Sequence, residues 1–125
     1  MDITKIKSKL NMLNLYFSRC EFIRKPIISD TCLNTTIDRN VTQLSEHHYS
    51  VELTLKINNN DLNLLVVANA DFSLDSDDYS NEKAIMNKNT VAIMFPFIRS
   101  QVSLMTSQPG MTPITLPAIN VNEME

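Results

Sequence analysis

The sequence predicts an α+β domain, four antiparallel strands followed by a long C-terminal helix, on three observations. Tyr49, Val51, Leu53, Leu55 and Ile57 alternate with Ser50, Glu52, Thr54, Lys56 and Asn58, and a period of two over that length is a strand with one buried and one wet face. Alternation resumes at Leu62, Leu64, Val66, Ala68, Ala70 and Phe72 after the turn-prone run Asn58-Asn59-Asn60-Asp61, which makes the two strands an antiparallel hairpin. Val91, Met94, Ile98, Val102 and Met105 then recur at helical spacing.

The remaining elements follow in chain order. Leu13, Leu15 and Phe17 alternate, and Cys20 and Phe22 continue with the opposite parity. Such a switch predicts a first strand with a bulge near Ser18–Arg19 or a change of face. Leu33, Ile37 and Val41, filled in by Thr35 and Thr36, give a second strand. Ser73 to Ser80 is a polar, acidic connector in which Ser80 is placed to cap a helix from Asn81, with Glu82 in its first turn. Pro96 leaves two readings open: the main helix starts just before Phe95, or a longer helix bends at the proline. Pro109-Gly110 stops the helix, and Pro113 and Pro117 make the remainder an extended arm.

With 125 residues the chain fits one domain, 1–125. The 43% hydrophobic and 20% charged content is ordinary for a globular protein. A net charge of −3 argues against a nucleic-acid partner, because phosphate binding draws on clustered Lys and Arg; Lys5, Lys7 and Lys9 read as a solvated basic tip. Gly110 is the sole glycine, which rules out phosphate cradles, dinucleotide fingerprints and nucleophile elbows. Cys20 and Cys32 form no CxxC pair, and Asn11 and Asn14 interrupt any secretory hydrophobic run. The expectation is a cytoplasmic chain with both thiols reduced and packed as small apolar residues.

Chemistry-bearing clusters are few. In Glu46-His47-His48, adjacent histidines on a strand point to opposite faces, so no shared metal is expected and a solvated strand start is the plainer reading. Asp75, Asp77 and Asp78 hint at a calcium loop, but Ser80 stands where the sharp turn needs glycine and Met86 where a bidentate Glu belongs. Helix-end electrostatics accounts for these acids. No metal, no cofactor and no catalysis are expected.

The strongest functional signal is apolar excess. Between Asn89 and Asn122 the chain carries one charged residue, Arg99. Pro96 and Arg99 break the stretch well short of the ~20 apolar residues of a membrane span. Val91, Ile93, Met94, Phe95, Phe97 and Ile98 occupy more than one helix face, whereas one sheet face covers only one stripe. The surplus predicts a protein–protein surface, made adaptable by methionine.

Phe95-Pro96-Phe97-Ile98-Arg99, the helical stretch behind it, and Met111-Thr112-Pro113-Ile114-Thr115-Leu116-Pro117-Ala118-Ile119-Asn120-Val121 resemble the C-terminal half of the SecB export chaperone family. Leu15-Tyr16 with Cys20 and Phe22 is similar to that family's first strand, and Gln43-Leu44 leading into Tyr49, Val51 and Leu53 to its central strand. The resemblance implies a four-stranded antiparallel sheet with the long helix packed on one face. It further implies a homotetramer, a dimer of dimers, that holds unfolded polypeptides in apolar grooves without ATP.

Two departures bear on partners. Where the family has acidic residues that receive the translocase motor SecA, the matched positions are Arg19, Ile23 and Leu65, and the sequence ends at Glu125 where the family continues into a further helix. Delivery to SecA is therefore not expected, while client holding is. Under this reading Leu33, Ile37, Leu44, Phe72, Met111, Ile114 and Leu116 are candidate client-groove residues. Phe95, Ile98, Val102 and Met105 are candidates for the helix layer and subunit interface. The alternative for both sets is plain core. At the level of function, the alternatives are a dedicated regulator of one partner, such as an antitoxin, and a structural oligomer without a client.

Overall fold

The computed structural model describes residues 8–119. Strands β1 (Ser8–Arg24), β2 (Asn34–Ser45), β3 (His48–Asn58) and β4 (Leu62–Ser76) form one antiparallel sheet in the order β1-β4-β3-β2. Helix α1 (Glu82–Ala84), a π-helical segment (Ile85–Asn89) and helix α2 (Thr90–Met105) follow without interruption and cover one face of the sheet. The α+β architecture expected from the sequence is the one observed.

The hairpin at the centre explains the packing. Register pairs Val51 with Ala70, Leu53 with Ala68, Leu55 with Val66 and Ile57 with Leu64, so every buried side chain of both strands lies on the helix side. Val91, Met94, Phe95, Ile98 and Val102 answer them from α2. The short side chains of Ala68 and Ala70 keep the sheet surface low beneath the helix.

The expected bulge in β1 is present between Phe17 and Arg19, and a second irregularity lies between Leu13 and Tyr16, where Asn14 adopts a positive φ of 58°. Asparagine tolerates that left-handed conformation. Together the two re-phase the strand, so that Phe17, Cys20 and Phe22 share the helix side while Leu13 turns to the open face.

Several local expectations are corrected. The longer-helix reading of Pro96 holds, since Pro96 sits inside α2. Ser80 does not cap: the N-cap is Asn81, without a side-chain bond, while Ser80 bonds Asp78 through its N–H (2.9 Å) and hydroxyl (3.1 Å). Asp78 therefore belongs to a local turn, and these bonds, the backbone one foremost, lower its pKa against a smaller opposing effect of burial. His47 is a turn residue with φ 58°, and only His48 begins β3. Both cysteines are free and exposed rather than packed. Lys5 and Lys7 of the basic tip and Asn120 and Val121 of the arm motif lie outside the described residues.

The arm turns back along the helix. Gly110 takes a φ of 79° at the reversal, a region open to glycine without steric cost. Ser103 Oγ then donates to the Ile114 carbonyl (3.0 Å), the Ile114 N–H donates to Thr106 Oγ1 (2.8 Å), and Arg99 Nε donates to the Leu116 carbonyl (3.0 Å). The lone charged residue of the apolar stretch thus serves as a main-chain anchor.

Candidate binding groove

A groove of about 590 Å³ opens between the β1–β2 connection and the arm. Ile28 and Leu33 line one wall, Met111 and Ile114 the other, with Leu62 and Asn59 between them. Its polar rim includes Ser29, Asp30, Thr31 and Thr112.

Hydrogen bonds across the sheet end fix both walls. Asp61 Oδ2 accepts the N–H groups of Ser29 (2.9 Å) and Asp30 (2.8 Å), and its carbonyl accepts the Lys25 N–H (2.8 Å). Asn59 Nδ2 donates to the carbonyls of Asp30 (3.2 Å) and Cys32 (3.1 Å), while its Oδ1 accepts the N–H groups of Asp61 (2.8 Å) and Leu62 (3.0 Å). The two backbone donors, Asp30 first, lower the Asp61 pKa; burial opposes them and Lys25 assists. Arg24 joins the walls: its guanidinium donates to the carbonyls of Lys25 (3.0 Å), Pro26 (3.0 Å) and Pro109 (3.1 Å). The two sides of the depression are thus fixed by polar bonds, while Ile28, Met111 and Ile114 pack partly on the core and Leu33 is exposed.

The structure brings Leu33, Met111 and Ile114 together here. Phe72 and Leu116 are placed elsewhere: Phe72 is 0% exposed in the core, and Leu116, 6% exposed, packs on the core at the edge of a different groove. Ile37 is half-buried on the helix side of β2, and Leu44 is exposed near the opposite end of that strand. Ile28 and Leu62, which were not among the candidates, also line this groove, Leu62 at only 4% exposure. Leu62 was visible only as a strand position, and Ile28 carried no periodic signal. Phe95, Ile98 and Val102 belong to the helix layer, buried against their own sheet, and Met105 is half-buried. The outward face instead shows Phe97 (46% exposed) and Leu104 (69%), seven positions apart and off the buried stripe. Leu104 and Pro96 border a second groove of about 610 Å³ on the other side of the arm, with Arg99, Ser103 and Leu116.

A polar clamp closes the far end of the sheet. The His47 ring stacks on Tyr79 with centroids 3.6 Å apart. Its Nδ1 meets Glu82 Oε1 at 2.5 Å, and the Tyr49 hydroxyl donates to Glu82 Oε2. The Glu82 bond, then burial and the carboxylate charge, push the Tyr49 pKa up to about 12. Burial works against Glu82 ionisation, yet the bonds from Tyr49 and His47 and the charge of the ring outweigh it and lower its pKa. Glu82 fixes the helix start to the β2–β3 turn, a role its sequence position did not announce. Among the described residues no group of three or more His, Cys, Asp or Glu is placed to hold a metal, and no helix is long and apolar enough to cross a membrane.

A sheet layered on one side by a single helix, with a helix-tethered arm and an open apolar groove, defines a SecB-like α+β scaffold. Residues 29–124 match the family described as "SecB: Preprotein translocase subunit SecB", and the chain belongs to the SecB family. It is 30% identical over 98 residues to the protein-export protein SecB of Orientia tsutsugamushi strain Boryong, covering 74% of this chain and 61% of that protein. The SecB of strain Ikeda matches at the same identity, with 60% of its length covered; the chain thus spans about three fifths of these curated relatives. Among solved structures, the fold is similar to a Mycobacterium tuberculosis SecB-like chaperone in complex with a ChAD peptide from an antitoxin, at a TM-score of 0.71 and 13% identity over 89% of this chain and 88% of that one. A Streptococcus agalactiae protein of unknown function matches at a TM-score of 0.56 and 9% identity, covering 89% and 98%.

Proposed function

We propose that this protein is an ATP-independent holdase that binds extended, unfolded polypeptide in the groove between Leu33 and Ile114. The observation that carries the reading is a groove with apolar walls, kept open by the Asp61, Asn59 and Arg24 bonds, in a SecB-family fold. Its volume of about 590 Å³ accommodates a few side chains. Each buried guest side chain contributes about 1.5–3 kcal/mol before entropy losses, whereas micromolar affinity needs about 8. One groove is therefore weak, and several acting together in a homotetramer supply the difference by multivalency. The uncharged outer face around Phe97 and Leu104 is the contact surface proposed for that assembly.

Light scattering of an aggregating client tests the reading. Suppression is expected at a small molar excess, and none at several-fold excess of tetramer refutes it. Leu33→Ser, at an exposed position, is expected to weaken client binding about tenfold with little change in melting temperature.

One observation favours a dedicated chaperone of a single partner, such as an antitoxin, over delivery to SecA. At the positions matched to the motor-docking acids, the open sheet face carries Ile23, 69% exposed, half-buried Leu65, and Arg19, which is already paired with Glu21. Affinity purification separates the two: one stoichiometric partner supports the dedicated role, and many weak clients the general one.

A further inference from the structure

We propose that Arg39 on edge strand β2 is a specificity determinant that selects client segments carrying an acidic side chain between two apolar ones. The inference rests on the polypeptide-binding reading above.

Arg39 lies on the helix side of the sheet, opposite Leu53, which is 0% exposed. Its neighbours on that side of β2 are Ile37 and Val41, both packed against the core, and the π-helical segment packs against the same strand. A guanidinium in this position faces apolar surface on the sheet and along its own strand. Its Nη1 is buried and has no hydrogen-bond partner. The charged group nearest along the strand, Asp38, points to the other face. Among the described residues Arg39 makes neither a hydrogen bond nor an ion pair.

A buried donor without an acceptor is destabilising, and a cation more so. Such a group is tolerated where a ligand completes it, and β2 offers the place. It is an outer strand of the sheet, with backbone groups free to pair with an added strand. Whichever direction a guest strand runs, one of its residues sits beside Arg39 on the helix side, and those two positions away sit beside Ile37 and Val41. A carboxylate at the central position accepts from the guanidinium fork, with two N–H donors available to one carboxylate. Leu or Val at the flanking positions extends the apolar surface. The occupant is therefore an extended segment of pattern apolar-x-acidic-x-apolar.

The test uses labelled peptides with blocked ends and the core Leu-Thr-Asp-Thr-Leu, its Asn and its Lys counterparts, titrated by fluorescence anisotropy onto the full-length protein at low salt. The Asp peptide is expected to bind about tenfold tighter than the Asn peptide and the Lys peptide weakest. Arg39→Gln is expected to abolish the Asp preference, and Arg39→Lys to keep part of it. Equal affinity of the wild-type protein for Asp and Asn peptides overturns the proposal, and that comparison does not depend on any variant folding. No binding of either peptide, with client aggregation still suppressed, overturns it while sparing the holdase reading; loss of both refutes the two together. If Arg39→Gln alters the sedimentation state but not peptide discrimination, a second copy is the partner of Arg39 and the assignment to clients fails.

Discussion

The carboxylate of Glu82 connects three parts of the chain: the helix start, the β2–β3 turn through His47, and the first inward residue of β3, Tyr49. Its pKa is lower in the folded protein than in the unfolded chain. It therefore stabilises the fold fully above the ordinary glutamate value of about 4.3, and that contribution disappears as pH falls through the folded value. Tyr49 acts at the other limit, because its pKa is raised to about 12. Its contribution is complete below the ordinary tyrosine value of about 10 and is lost as pH rises through the folded one. Urea unfolding across pH is expected to show stability declining at both ends, and Glu82→Gln to flatten both limbs. Unchanged limbs in that variant would assign the pH dependence to other groups. None of this was legible in the sequence: Glu82 is separated from its partners by 33 and 35 positions, and periodicity reports only on neighbours.

Elements with a regular period were legible, and those bent by single residues were not. β3 and β4 were read correctly because one face is buried along their length, so burial imposes alternation at each step. β1 was read in part, since the break at Ser18 disturbed the parity while the left-handed Asn14 left no pattern. The helix was read from its buried stripe and its start at Asn81 from the acidic first turn, but the π-helical turn between the two was not; there the Thr90 hydroxyl bonds the Met86 carbonyl at 2.6 Å. Of the proposed groove, Leu33 was visible on one wall, and Met111 and Ile114 of the arm on the other. How the wall carrying Leu33 is held depended on bonds between Asp61 and residues 31 and 32 positions earlier, which no local signal encodes. Gly110 is where the arm's geometry is most exposed to change. Its positive φ of 79° leaves an added Cβ only an ordinary contact with Arg24 Nη2, at 3.8 Å. Gly110→Ala is therefore expected to cost about 1–2 kcal/mol through backbone strain alone. A denaturant titration checks this, and the full value without any clash-driven unfolding is the expected result.

Across the whole molecule the apolar excess noted in the sequence is real, but it is distributed differently from the expectation. The inward stripe is consumed by the core, and the remainder is on Phe97, Leu104 and the groove walls, with Leu13, Tyr16 and Ile23 exposed on the open sheet face as well. If the proposed tetramer uses the outer helix face, replacing both Phe97 and Leu104 by Ser is expected to lower the sedimentation coefficient to that of smaller species. The unfolding midpoint extrapolated to low protein concentration is expected to stay within about 0.5 kcal/mol of wild type, because both positions are exposed. A variant that remains fully assembled would place the subunit contact elsewhere.

The arm's attachment has a mechanical corollary. One side of the arm borders the groove, and its backbone is tied to Arg99, Ser103 and Thr106 of the helix and its C-terminal end. A guest that wedges the cleft wider pulls on those ties, and the load passes to the same helix that carries Phe97 and Leu104 on its far side. If the groove takes clients and the outer helix face joins copies, as proposed, occupancy and self-association act on one helix, and filling one cleft is expected to be sensed at the seam between copies.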